Sequence, residues 1–408
     1  MTKESSESSS FPGLIPSKKP KGYQLSSAMQ RFYDLWSGKQ DIDNEFYTKF
    51  RYSRVTGIGR EDGVSRRDPS KILKLGDTYY VWYTCRNTAV NPIGRDKIDS
   101  ADDVTPLVDW DLADIYYATS KDGFNWVEQG IAVPRAPKGT YGDRSLSTPD
   151  ILVYKGKYYL YYQCFTTMWR ENDCVNVSMA WADSPDGPWT RLDRPVIEQG
   201  EAGAWDSCAI HDPYPIVFQG KIWVYYKGSP RDKTAGNLLR AQGVAIADDP
   251  EGPYIKPPLN PITNSGHETM LWPYKDGMAA LLIRDGAEKD TIQYAKDGLN
   301  FELKAHVQMP PLAPGPFCPD AFADNGNGRG VTWGLAHVVP NAGEPLHDSF
   351  ILRFDCSLSQ DVVRDEFKLS SISYNDETWF QPVTALPDES KARILAEQQQ
   401  VDQQTIID

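Results

Sequence analysis

The sequence predicts an all-β fold, a five-bladed β-propeller with a short N-terminal helical arm. Three observations predict it. A strand–turn–strand pattern recurs five times, a second hairpin motif alternates with it, and the composition is rich in turn and aromatic residues. The 408 residues include 31 Gly and 30 Pro, and aromatics make up 12%, with 12 Trp and 22 Tyr. Many turns between short aromatic strands suit closed sheets.

The first motif occupies Arg67–Tyr83, Thr148–Tyr162, His211–Tyr226, His267–Leu282 and Pro319–Gly334. Each segment opens on a polar residue, runs as a strand, turns near Gly and returns as a second strand. Asp68, Asp212 and Asp320 each stand eight residues before the turn glycines Gly76, Gly220 and Gly328. Glu268 stands eight before Asp276 of an Asp-Gly turn, and Thr148 holds the same place before Gly156. The second motif is Asp122-Gly123-Phe124-Asn125-Trp126, Asp186-Gly187-Pro188-Trp189, Glu251-Gly252-Pro253-Tyr254 and Asp297-Gly298-Leu299-Asn300-Phe301. Asp-Gly between apolar strands is a strong hairpin signal. Two hairpins make one four-stranded unit, the fifth unit ends in Phe350–Asp355, and five units set radially make the propeller. A β-sandwich with accidental similarity does not explain two motifs in constant order.

Four segments follow from this pattern. Residues 1–24 are Ser-, Lys- and Pro-rich, which predicts a mobile segment. Residues 25–58 form the arm. Ala28, Phe32, Leu35 and Trp36 share one helical face behind a Ser26 or Ser27 cap, and a second helical stretch is expected over Asp41–Phe50. So small an arm must dock on its own body or on another subunit. Residues 59–360 form the propeller, with loops at Asn87–Asp111 and Thr166–Asp173 at its functional end. Residues 361–408 are a C-terminal extension, polar and helical over Ser390–Asp408.

Composition excludes several partners. The net charge of −13 lacks the basic surplus of a nucleic-acid binder. No stretch of 18 apolar residues predicts a membrane span. Met1–Ser6 lacks the basic start and apolar run of a secretory signal, so a cytoplasmic location is expected. The six Cys are scattered without a C-x-x-C pair, which reads as buried core residues.

In a propeller the first strand of each blade lines the central channel, and its start opens onto one face. The repeat therefore puts Asp68, Thr148, Asp212, Glu268 and Asp320 around one axis. Converging carboxylates repel, so one must have a raised pKa or a cation must sit among them. That split supplies one acid and one base. Asp68, Asp212 and Glu268 carry this reading furthest, because the flank of Asp320, Phe317-Cys318-Pro319, differs. Asp150 lies deeper in its strand and reads as structural. His211 and His267 directly precede Asp212 and Glu268. His267 suits a proton donor, and His337 or His211 suits a cation ligand. Trp110, then Trp169 and Trp272, are candidates to stack on a pyranose face. Thr148 and Gln163 are placed to read hydroxyls, and Arg67 with Arg66 to set the charge of the first acid.

These residues resemble glycosidases built on five-bladed propellers. More narrowly they resemble glycoside hydrolase family 117, the α-1,3-(3,6-anhydro)-L-galactosidases or neoagarobiose hydrolases. Met29–Trp36, Ser65–Ser70, His211-Asp212-Pro213 and Gly266–Thr269 carry the resemblance, which spans about residues 25–360. Gly266-His267-Glu268 is its most discriminating element. The resemblance implies release of 3,6-anhydro-L-galactose from the non-reducing end of neoagaro-oligosaccharides, with inversion. It implies Asp68 as general base and His267 as general acid, with Asp212 and Glu268 holding substrate and tuning pKa. It also implies a divalent cation near the channel axis and a homodimer exchanging the N-terminal helices. Two other readings stand beside it. One is a related propeller arabinanase, xylosidase or phosphorylase, in whose hydrolases Glu268 itself is the acid. The other is a non-catalytic sugar- or protein-binding propeller.

Overall fold

The structure, a computed structural model, describes residues 10–33, 44–168, 175–230, 241–340 and 348–368, with Ala392 and Ala396. Helix α1 (Ser27–Tyr33) and strand β1 (Arg51–Arg54) come first. Strands β2 (Val64–Arg67), β3 (Leu73–Leu75), β4 (Thr78–Asn87), β5 (Asp114–Ser120) and β6 (Trp126–Val133) form an antiparallel sheet in the order β2-β4-β5-β6, with β3 also on β4. Strands β7 (Ser145–Tyr154), β8 (Lys157–Phe165), β9 (Asn176–Ala182) and β10 (Thr190–Arg191) form the next. Strands β11 (Ala209–Phe218), β12 (Lys221–Ser229) and β13 (Ala241–Ala247) form a third. Strands β14 (Met270–Lys275), β15 (Gly277–Leu282), β16 (Thr291–Ala295) and β17 (Glu302–His306) are a meander. Strands β18 (Leu312–Pro316), β19 (Gly328–Val338) and β20 (Phe350–Ser359) are another, joined to the preceding meander where Tyr274 and Lys275 pair with Arg329 and Gly328.

Alternation of side chains along each strand decides how these sheets stack. On β4, Val81, Tyr83 and Cys85 enter one apolar core while Trp82 enters the next. On β12, Ile222, Val224 and Tyr226 face one way, and Trp223 and Tyr225 the other. On β15, Ala279 and Leu281 part from Met278, Ala280 and Leu282 in the same manner. Successive cores thus glue each sheet to the following one. The last of them packs Trp333, Leu335 and Ile351 of β19 and β20 against Val81, Tyr83 and Trp126, so the final meander returns to the first sheet. The aromatic residues in these second strands fill the wedges between sheets, where their area stabilises most.

Helix α1 is capped by Ser26, whose hydroxyl accepts from the Met29 N–H at 3.2 Å. Met29, Phe32 and Tyr33 pack on Tyr161, Val177 and Val224 of the body. Arg31 pairs with Glu288 at 2.8 Å and donates to the Phe301 carbonyl. In its described part, then, the arm docks on its own body.

Several expectations are corrected. Phe11 and Ile15, expected in a mobile segment, are buried in the same core as Met29. Residues 44–50 hold a turn and extended backbone, not a second helix, because Phe46 and Tyr47 are drawn into the core beside Trp272 and Tyr274. Arg51–Arg54, expected in the arm, is the outer strand on β20, with Arg51 opposite Asp355. Trp272 is fully buried in that same core, so it packs sheets and stacks on no sugar. Leu35, Trp36, Trp169 and the rest of the Ser390–Asp408 stretch beyond Ala392 and Ala396 lie outside the described residues. The five described Cys are buried thiols, none of them in a disulfide among the described residues.

Beneath the convergence of the inner strands lies a buried ion pair. Lys71 donates its Nζ to Asp150 Oδ2 and its backbone N–H to Asp150 Oδ1 at 2.8 Å, and the Nζ sits 3.9 Å from the Tyr214 ring centroid. Burial pulls the Lys71 pKa down and pushes that of Asp150 up, each opposed by the other's charge. Removing one member leaves a buried charge unpaired. We expect Lys71→Met to cost about 3–5 kcal/mol in chemical denaturation, and the double change Lys71→Met/Asp150→Leu to recover most of it.

Candidate active site

The inner strands break register at matching places. Pairing jumps between Ser147 and Asp150, between His211 and Tyr214, and between Leu312 and Gly315. Such irregularities re-aim side chains. Asp68, Thr148, Asp212, Glu268 and Ala313 adopt φ of 52°, 49°, 52°, 54° and 44°. Residues other than glycine rarely visit this left-handed region, at a cost of roughly 1–3 kcal/mol each. All five line one cavity, floored by Asp150 and Tyr214.

The fifth place therefore belongs to Ala313, not Asp320. Asp320 sits in a short 3-10 helix, Pro319–Phe322, and accepts from the backbone and guanidinium of Arg329. Arg329 pairs with Tyr274 at the far end of β14 from Glu268. The spacing from Asp320 to Gly328 is that of the repeat, but the inner strand has already passed at Leu312–Pro316.

Arg67 organises the acids. Its Nε lies 2.9 Å from Asp68 Oδ2, Nη1 3.5 Å from Asp109 Oδ2 and Nη2 3.4 Å from Glu268 Oε1, all buried. Thr84 donates to Asp68 Oδ2 at 3.1 Å and accepts from the Thr148 N–H at 2.7 Å. Burial opposes ionisation of Asp68, yet the charge of Arg67, with His337 beside it, holds its carboxyl well below the usual carboxylate range. Burial likewise opposes ionisation of Glu268, but His267 and Arg284 hold its carboxyl down at about 2. Arg284 Nη1 stands 2.9 Å from Glu268 Oε2. Asp212 goes the other way. Burial, helped by Glu268 and Asp68, pushes it up against the pull of His267 and Lys227.

His267 stands at the rim, 24% exposed in its side chain, with Nε2 3.9 Å from both Asp212 Oδ2 and Glu268 Oε1. Its Nδ1 lies 3.1 Å from Asp285 Oδ2. On the opposite wall, Ser147 and Thr148 donate to Gln163 Oε1, each at 2.9 Å. The Gln163 amide then reaches His211 Nδ1 at 2.8 Å and Asp212 Oδ1 at 3.3 Å. With Nδ1 accepting, His211 presents Nε2–H as a donor. Trp110 is half-buried against Phe165, Val175 and Ala209, and the Arg67 guanidinium lies 4.9 Å from its ring centroid. Its loop is anchored by Asp111, which takes Arg144 bidentately and accepts from the Leu107 N–H.

Ligand atoms of Asp68, Glu268 and His337 lie within 4.8 Å of one another. His337 Nε2 is a buried atom without a hydrogen-bond partner among the described residues, and Asp68 Oδ1 has His337 Nδ1 3.1 Å away. With Nδ1 donating its proton to that oxygen, Nε2 is a bare acceptor, and such a nitrogen beside a buried carboxylate suits a divalent cation. Both Glu268 oxygens face guanidinium groups, so the fit rests on Asp68 and His337.

Sequence reasoning missed Asp109, Arg284 and Asp285. A signal existed for Arg284. Thr84, Gln163, Lys227 and His337 all stand near the ends of second strands, opposite Arg67, Ser147, His211 and Leu312. Carrying that position into the fourth unit leads to the end of β15, just before Arg284.

A family profile described as Glycosyl hydrolases family 43 matches residues 63–237. No curated protein sequence matches this one. Among solved structures it is similar to Zg3597, a family 117 glycoside hydrolase of the marine bacterium Zobellia galactanivorans. The identity is 48%, over 83% of this protein and 98% of that one, with a TM-score of 0.76. A structure described as "Glycoside hydrolase" is 14% identical, with a TM-score of 0.54, over 81% of this protein and 95% of its own length. That second match shows likeness of fold alone. At the identity and coverage of the Zobellia enzyme, this protein belongs to glycoside hydrolase family 117.

Proposed function

We propose that the protein is a five-bladed propeller hydrolase that releases 3,6-anhydro-L-galactose from the non-reducing end of neoagarobiose and longer neoagaro-oligosaccharides, with inversion at the anomeric carbon. The observation that carries the mechanism is the opposed treatment of neighbouring groups. Asp68 and Glu268 are both held ionised, while a histidine at the rim turns Nε2 toward the acids.

In this reading Asp68 takes a proton from water as the water attacks the anomeric carbon. His267 gives its Nε2 proton to the departing glycosidic oxygen, and that bond breaks. Glu268 does not suit the donor role, because the charges of His267 and Arg284 keep it a carboxylate. Its oxygen also lies within 4.8 Å of Asp68, whereas an inverting pair of acids stands about 6.5–9.5 Å apart to admit water. As an anion, Glu268 opposes the positive charge that grows on the sugar ring. Asp212, with its raised pKa, and the Gln163–His211 pair meet hydroxyls. Trp110 offers the exposed part of its ring to the sugar face. Asp68 and His337 would hold a divalent cation, which when bound adds positive charge to the floor of the site.

The family resemblance supports one further part of the reading, a homodimer through the N-terminal helices, in which helix α1 keeps its place on its own body. No helix among the described residues is long and apolar enough to cross a membrane.

Incubating the protein with neoagarobiose and following the anomeric signals by NMR tests the whole reading. 3,6-Anhydro-L-galactose should appear first as the anomer opposite to that of the substrate, and no product, or turnover only of arabino- or xylo-oligosaccharides, refutes it. Asp68→Asn should lower kcat by at least about 10²-fold, the scale of a general base, with substrate binding by calorimetry retained. Arg67→Met removes the charge that stabilises the Asp68 anion. Burial then dominates, the carboxyl pKa rises, and the acidic limb of kcat/KM should move up by about 1–3 pH units, while Arg67→Lys moves it less.

A further inference from the structure

We infer that Asp285 is a positioning residue, which fixes the His267 ring so that Nε2 addresses the departing oxygen. The inference rests on the reading of His267 as proton donor.

The backbone brings the two residues together before their side chains meet. Gly266 N–H donates to the Asp285 carbonyl at 2.8 Å, and His267 N–H to the Ile283 carbonyl at 3.0 Å. Asp285 N–H closes a tight turn onto the Ile283 carbonyl at 2.9 Å, with Arg284 at φ 68° in its centre. Gly266 permits the approach. It adopts φ 111°, and a Cβ there would lie 2.6 Å from Thr269 Oγ1. His267 and Asp285 are thus neighbours across a short irregular ladder just past β15, and their spacing is preset by backbone hydrogen bonds.

Chemistry sets the rest. A carboxylate only accepts, so at 3.1 Å from Asp285 Oδ2 the His267 Nδ1 carries a proton and donates it. Nε2 is left as the atom directed at the cavity, 3.9 Å from Asp212 and from Glu268. The terminal torsion of a histidine is broad and roughly two-fold. Without Asp285 the ring can turn and send either nitrogen toward the substrate. The logic is that of the buried carboxylate that orients the histidine of a hydrolytic triad, here with the histidine starting as acid. The turn acts twice, because Arg284 from its centre holds Glu268 Oε2 at 2.9 Å. One turn thereby aims the donor and keeps the adjacent carboxylate from taking its place.

Leaving-group dependence separates this role from a structural one. Wild type, Asp285→Asn, Asp285→Glu and His267→Ala are compared on neoagarobiose, whose leaving alkoxide needs a proton, and on a nitrophenyl 3,6-anhydro-L-galactoside, whose leaving phenolate does not. Asp285→Asn should lower kcat on neoagarobiose by about 10²-fold, the lower end of a general-acid contribution, with KM within a few-fold. On the nitrophenyl glycoside it should stay within about 3-fold of wild type, Asp285→Glu should recover part of the loss, and the thermal midpoint should not move. Equal loss on both substrates, or no loss on neoagarobiose, overturns the inference. If His267→Ala shows the split and Asp285→Asn does not, the inference alone fails. If His267→Ala turns over neoagarobiose like wild type, the reading of the donor fails and takes the inference with it.

Discussion

One guanidinium lets three buried carboxylates stand close together. Arg67 touches Asp68, Asp109 and Glu268 while itself buried, so each acid finds in it the counter-charge that water would otherwise supply. Much of the surrounding structure keeps that guanidinium in place. Trp110 lies against it, Asp109 is fixed by Ser349 as well as by Arg67, and the long loop that carries both is clamped by Arg144. The insertion between β4 and β5 is thus a brace for one side chain. The asymmetry of the site follows. The charge of Arg67 holds the Asp68 carboxyl down and that of Arg284 helps to hold the Glu268 carboxyl down, while burial, helped by the repulsion of those two acids, pushes Asp212 up.

The all-β character and the repeat were legible in the sequence because both come from short-range rules. Alternating side chains must serve two cores, and hairpins need Asp-Gly or Gly turns, so the spacing recurs wherever the geometry does. What the pattern could not carry was the point where an inner strand begins. Asp320 satisfies the spacing to its glycine, yet a 3-10 turn bound to Arg329 replaces the expected strand, and Ala313 takes the fifth place around the cavity. Trp272 fails for a related reason. Composition cannot say which face of a strand an aromatic occupies, and Met270, Trp272 and Tyr274 all face a core. The repeat marks the position of Arg284 but not the turn Ile283–Arg284–Asp285, which departs from the ladder and matters through contacts to Glu268 and His267 that only the folded protein makes.

The left-handed backbone around the cavity explains why the repeat is strict just there. A β-strand alternates its side chains between the two faces of its sheet, and neither face looks along the axis on which the inner strands converge. Turning φ positive at Asp68, Thr148, Asp212 and Glu268 breaks that alternation and releases one side chain per strand toward the centre. Proline after four of the five places limits the alternatives of the following residue. The strain sits where the acids of the cavity are, and the wedge cores between sheets hold it in place.

The pairing of β1 with β20 also sets the order in which the molecule can be completed. Arg51 emerges early in synthesis, and its partner Asp355 emerges near the end, so the outer edge of the last meander waits on a strand made long before it. Until then the N-terminal strand is an open edge, able to recruit a foreign partner. The join is made by contacts far apart in sequence, which places it among the slow steps of folding. The same join locks the two ends of the body to each other, so a cut or truncation at either end unfastens the body rather than trimming it.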